Sequence, residues 1–150
     1  VNFLGIDPGK GGGFVLLDAA SAVLDACPMP GTPADILDVL REWQMYDACH
    51  ATLEHVRSTP AMGVVSAFTF GRCLGHLEAA LIAVEIPHDV VAPLKWQTAL
   101  GCRSGGNKNV TKRRAQELWP TRKWTHTLAD AALIAEYGRR TGTVIQRRAT

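Results

Sequence analysis

The chain has 150 residues, of which 47% are hydrophobic and 20% charged, and a net charge of +2. These figures fit one ordinary folded domain over residues 1–150, with a basic tail from about 142. They exclude a chain too polar to build a core, and no apolar run approaches the roughly 18 residues of a membrane span. The charge is unevenly spread. Residues 1–92 carry four basic and 11 acidic side chains, whereas residues 93–150 carry 12 basic and three acidic. That asymmetry leads us to expect a polyanionic partner gripped by the C-terminal part. Cys27, Cys49, Cys73 and Cys102 show no CxxC spacing, so free thiols in a reducing compartment are expected rather than a disulfide framework or a zinc site.

In chain order, Asn2–Asp7 reads as an apolar strand ending in a carboxylate, broken by Pro8-Gly9 and a glycine-rich turn. Residues 13–18 return as a second strand and residues 22–26 as a third. Thr32 before Pro33 predicts an N-cap with proline at the first helical position. Ile36, Leu37, Leu40 and Trp43 then recur at helical spacing to about Tyr46. Residues 51–56 read as a fourth strand, residues 63–84 as a long helix and residues 88–92 as a fifth strand. A short helix over 93–100 leads into a glycine-rich linker, 101–107. A basic helix from about 110 to 118 and a last helix from about 125 to 140 follow. Three hairpin-type strands and then strand–helix alternation predict an α/β fold with a mixed five-stranded sheet flanked by helices.

Three carboxylates stand out within this frame. Asp7 closes the first strand, Glu54 lies in the apolar fourth strand, and Asp130 is embedded in Ala129-Asp130-Ala131-Ala132 of the last helix. Each charge lies in apolar surroundings, where an unpaired carboxylate is costly and a hard divalent cation such as Mg²⁺ or Mn²⁺ would remove that cost. If the first and fourth strands are neighbours, Asp7 and Glu54 meet at one sheet end and the last helix brings Asp130 over them. Taken singly, each has a plainer reading: a turn residue, an edge-strand charge, an exposed helix position. His126 precedes Asp130 by four residues and shares its helix face.

The stretch Leu4-Gly5-Ile6-Asp7-Pro8-Gly9 resembles the first motif of RuvC-type Holliday junction resolvases, members of the RNase H-like superfamily. Leu53-Glu54 with its loop and long helix resembles their second motif, and Leu128–Ala135 their closing helix. Phe68–Arg72 and Trp96-Gln97 with Leu100-Gly101 look closest to phage-encoded and organellar branches. The resemblance spans roughly residues 3–140. One departure is that Thr127 stands where many such proteins carry a further acid; some relatives place a histidine near this slot, as His126 does here.

The resemblance implies an RNase H-like fold and a structure-specific endodeoxyribonuclease that nicks four-way junctions in symmetric pairs. Asp7, Glu54, His126 and Asp130 would be both catalytic residues and ligands for two Mg²⁺ ions, with Mn²⁺ able to substitute. It further implies a homodimer, branched DNA as partner, no nucleotide cofactor and no membrane. The expected location is the cytoplasm of a bacterial or phage-infected cell, or an organellar nucleoid. Candidate DNA contacts are Lys10, Arg72, Lys108, Lys112, Arg113, Arg114, Arg122 and Lys123. Phe68 and Phe70 are either core aromatics or rings that stack on bases. Two alternatives remain at this point: another RNase H-like nuclease acting on RNA–DNA hybrids or flaps, and a junction-binding protein without catalysis.

Overall fold

A computed structural model of the chain describes residues 1–142; the expected basic tail falls almost wholly outside them. Strands β1 (Asn2–Asp7), β2 (Gly13–Leu17), β3 (Val23–Pro28), β4 (Cys49–Glu54) and β5 (His88–Val91) form one sheet in the order β3-β2-β1-β4-β5. The β1–β2 and β2–β3 pairs are antiparallel, whereas β1–β4 and β4–β5 are parallel. The first three strands are therefore a meander, and each later strand needs a helical crossover. Helix α1 (Pro33–Gln44) makes the first and α2 (Val64–Ala83) the second; α3 (Pro93–Ala99), α4 (Lys108–Leu118) and α5 (His126–Gly142) follow. Thr32 caps α1 as expected, its hydroxyl accepting from the Asp35 amide with Pro33 at the helix start.

Every residue of β1 and β2 is buried, because helices cover both faces of the sheet. Leu4, Ile6, Phe14, Leu16 and Leu53 point to α1 and α2, where they meet Ile36, Leu40, Trp43, Leu77 and Leu81. Val15, Leu17 and Val91 point to the other side, against Trp96, Trp119, Trp124 and the apolar residues of α5. Helix α5 is enclosed almost all round, Ala129 and the whole run Ala131–Glu136 being buried. This is why its sequence lacks the one-sided pattern of a surface helix.

The path of α5 is set by small residues. A Cβ added at Gly5 would collide with the Ala131 carbonyl, the Ala135 amide and the Ala135 Cβ, and one at Gly138 would collide with Thr52. Ala131, Ala135 and Gly138 thus form a narrow stripe that lets the helix lie directly on β1 and β4. At the far end, Glu136 fastens α5 to the β2–β3 turn. Its buried carboxylate takes Arg139 at 2.8 Å, Arg140 at 2.7 Å and the Ser21 hydroxyl at 2.7 Å, while the Trp119 indole donates to the Ser21 carbonyl. Burial alone would raise the Glu136 pKa, but these donors hold it down at about 2.

The close approach at Gly5 predicts that Gly5→Ala destabilises the chain by about 1–3 kcal/mol or more in urea denaturation. Gly11→Ala, at a position with open space around it, should leave the midpoint nearly unchanged. Equal midpoints for the two variants would refute the tight α5–β1 contact.

Candidate active site

Asp7 and Glu54 are brought together by register. In the parallel β1–β4 pair Ile6 lies opposite Leu53, so the next residues along, Asp7 and Glu54, end their strands side by side. Side chains alternate across a strand. Asp7 therefore shares the face of Gly5 and Glu54 that of Thr52, the positions on which α5 rests. Asp130 lies next to Ala131 near the start of α5, above that sheet end. The conditional arrangement read from the sequence is the observed one, with Glu54 at the end of its strand rather than in its interior.

These carboxylates line an open cleft of about 410 Å³ with Gly9, Lys10, Gly12, Phe70, Gln97, Ser104, Gly106, Lys108 and Thr111. Asp7 is only 9% exposed. Its burial, followed by the charges of Glu54 and Asp130, raises its pKa from 3.8 to about 8. A hydrogen bond between Asp7 and Glu54 favours the proton on Asp7. Burial also raises Glu54, against a hydrogen bond from Trp96, and raises Asp130, against a hydrogen bond from Thr111 and the charges of Lys108 and His126. Among the described residues, no three His, Cys, Asp or Glu side chains are gathered closely enough to hold a metal ion as they stand. The three carboxylates interact electrostatically across the cleft and do not form a closed cage.

Several neighbours were not singled out as site residues by sequence reasoning. The Trp96 indole, fully buried, donates to Glu54 Oε1 at 2.8 Å. Thr111, 2% exposed, presents its hydroxyl to the Lys108 carbonyl at 3.2 Å and to Asp130; its one proton serves one acceptor at a time. Lys108, expected only as a DNA contact, starts α4 and acts electrostatically on all three carboxylates. Nothing local in the sequence marks Thr111 as a partner of Asp130, 19 residues further along the chain, or Trp96 as a partner of Glu54, 42 residues away.

The remaining candidates divide. His126 is exposed at the first position of α5 and reaches Asp130 through its charge. Lys10 is exposed at the cleft rim. Phe70 is half-buried, its ring against Gly9, where φ is +99° and an added Cβ would stand 2.7 Å from Phe70 Cε2. Phe68 is 66% exposed with the Arg72 guanidinium 5.9 Å from its ring, so the core reading of Phe68 is corrected. Arg114 is engaged by the Leu100 carbonyl at 2.9 Å and by Glu117 at 3.0 Å, tying α4 to α3. Arg122 lies over the Trp124 ring, and Lys112, Arg113 and Lys123 lie outside the cleft lining.

The raised Asp7 pKa has a consequence for stability. The folded chain keeps a proton on Asp7 that the unfolded chain releases above about pH 4, so stability from this group is full below pH 3.8 and is lost as pH rises to about 8. Without divalent cations, Asp7→Asn should be more stable than wild type at pH 8 by on the order of a few kcal/mol. The gap should close toward pH 4 in urea denaturation. A variant less stable than wild type at pH 8 would contradict the buried, protonated carboxylate.

No protein-family model matches the chain, and no curated protein matches its sequence. Solved structures do. The chain superposes on Thermus thermophilus RuvC, both alone and in complex with a Holliday junction substrate, with a TM-score of 0.72 and 18% identity. The match covers 95% of this chain and 97% of RuvC in the junction complex, or 98% of RuvC alone. Its mixed five-stranded sheet with flanking helices is therefore the RuvC form of the RNase H-like fold, as the sequence resemblance led us to expect.

Proposed function

We propose that the chain is a metal-dependent endonuclease that resolves four-way DNA junctions. The observation that carries this reading is the convergence of buried Asp7 with half-buried Glu54 and Asp130 at one sheet end, where their charges act on one another, in a fold shared with RuvC. Desolvated like charges are costly, and a divalent cation offsets that cost. Asp130 Oδ1 is buried without a hydrogen-bond partner, which fits an oxygen that serves a hard cation.

Asp7, Glu54 and Asp130 would hold Mg²⁺, two ions per site by the resemblance, with Mn²⁺ able to substitute and His126 joining Asp130. The chemistry supplied by ions held there would be activation of a water near neutral pH and stabilisation of charge on a leaving oxygen. The chain's own groups supply the rest of the site. Lys108 and Lys10 bring positive charge to a phosphate entering the cleft. At Gly12 an added Cβ would collide with the Asp7 backbone and stand 3.1 Å from its carboxyl carbon, so the turn passes close against Asp7 only because no side chain intervenes. Phe70 walls the cleft where a base flanking the scissile phosphate would stack. Lys112, Arg113 and Lys123 would extend the grip along the DNA, and Arg114 would serve mainly as a brace.

Paired nicks need two sites, and α2 offers a surface for a second copy. Leu77 and Leu81 of the apolar stripe are buried, but Val64, Val65, Phe68 and Ile82 are 86%, 80%, 66% and 69% exposed. Such an uncovered apolar helix face is unusual for a monomer. Phe68→Glu should therefore lower the mass seen in sedimentation equilibrium from dimer to monomer. An unchanged dimer would reject α2 as the interface.

The functional test is a mobile four-way junction incubated with the chain and Mg²⁺, with cut positions mapped, beside RNA–DNA hybrids and flaps. Paired symmetric nicks are expected. Asp7→Asn should abolish them while leaving junction binding, because removing an anion does not weaken attraction to DNA. His126→Ala should slow them by at least tenfold, as loss of a metal partner does. Cleavage of hybrids or flaps alone would replace the junction reading, and binding without cleavage would leave a junction-binding protein.

A further inference from the structure

The indole of Trp96 is tied to one oxygen of Glu54, and nothing about that contact follows from the carboxylate motif itself. Helix α3 begins two residues after β5, and β5 is paired with β4 so that Val91 lies opposite Glu54. The register therefore delivers α3 to the Glu54 end of β4. Trp96 is one turn into that helix, with its body packed in the core beside Val91 and Leu100 and its relative exposure zero. Only the N–H tip reaches a polar group, Glu54 Oε1 at 2.8 Å. The neighbouring Gln97 accepts from both the amide and the hydroxyl of Ser104, in the linker that leads to Lys108. One short helix thus fixes a carboxylate on one side and the approach to α4 on the other.

We infer that Trp96 is a positioning residue for Glu54, holding Oε1 so that the carboxylate is presented to a divalent cation in one orientation. This rests on the metal-dependent reading of the site. A glutamate has three rotatable side-chain bonds, and a rigid indole anchored in the core removes most of that freedom before any ligand arrives. The donor is neutral, which matters here. Lysine or arginine at this point would neutralise the carboxylate and compete with the cation, whereas an indole N–H orients the oxygen and leaves its charge intact. Hydrogen bonds from outside a metal's own ligands orient those ligands, and their loss typically weakens metal binding 10–100-fold.

The experiment compares wild type with Trp96→Phe and with a chain carrying benzothienylalanine at position 96, which keeps the shape of tryptophan without the N–H. Mn²⁺ binding is measured on the DNA-free protein by electron paramagnetic resonance, and Mg²⁺ half-saturation of junction cleavage is measured alongside. Both variants should bind Mn²⁺ at least tenfold more weakly and need correspondingly more Mg²⁺, with junction affinity in the absence of metal unchanged. If Trp96→Phe fails to fold, the benzothienylalanine chain decides alone. Wild-type metal affinity in a folded chain lacking the N–H overturns the inference while leaving the nuclease reading intact. A wild-type chain that neither binds Mn²⁺ nor cleaves overturns the nuclease reading, and this inference with it.

Discussion

The contact between Gly5 and the Ala131–Ala135 turn of α5 is the constraint on which the site depends. A helix that covers a sheet is normally held off it by the side chains that fill the gap between them. Here β1 presents hydrogen and α5 presents alanine and glycine, so the two backbones nearly touch. That approach brings a residue in the second turn of α5, Asp130, into the electrostatic field of a residue at the end of β1, Asp7. With bulkier residues at the interface the same elements would still form, but the two carboxylates would lie farther apart.

The fold carries an electrostatic cost for this arrangement. Asp7 is almost fully buried and lies beside two further acids, and its elevated pKa expresses that cost directly. Relief comes from Lys108, which acts on all three carboxylates, from the Trp96 indole on Glu54 and from Thr111 on Asp130. None of these donors is charge-neutralising enough to quiet the site. Glu136 offers the contrast within the same helix. It is as deeply buried, yet two arginines and a serine hold its pKa low. One end of α5 is thus a satisfied ion cluster that fastens the helix, and the other is left electrostatically unsatisfied.

The order and type of every element were legible in the sequence, because hydrophobic period, proline and glycine punctuation and the Thr32 cap act locally. So was the meeting of Asp7, Glu54 and Asp130, once β1 and β4 were taken as neighbours. The partners of those acids were not legible. Trp96 and Thr111 are drawn in by packing between elements distant in the chain, and an indole in a short helix reads as core, which most of it is. Helix α2 shows a different limit, since its apolar positions suit either burial against its own sheet or contact with a second copy. Its apolar residues are continuous in sequence but fall on two faces, one buried with Leu77 and Leu81 and one open with Val64 and Phe68. Periodicity gives a helix its apolar positions but not which of two apolar faces the core will take.

The charge asymmetry is a bulk property and does not say which cations face the cleft. The C-terminal excess of cations led us to expect a polyanionic partner gripped by that part, and several of those cations are engaged within the chain. Arg114 joins α4 to the end of α3, and Arg139 and Arg140 close on Glu136. Lys108 faces the carboxylates. The cations that line the cleft are a smaller and more directed set, Lys10 on its rim and Lys108 beside the carboxylates. For a phosphodiester this is the more useful distribution. Charges spread over a face raise affinity for any duplex, whereas on the nuclease reading proposed above two cations beside three acids would single out one phosphate in the cleft from its neighbours.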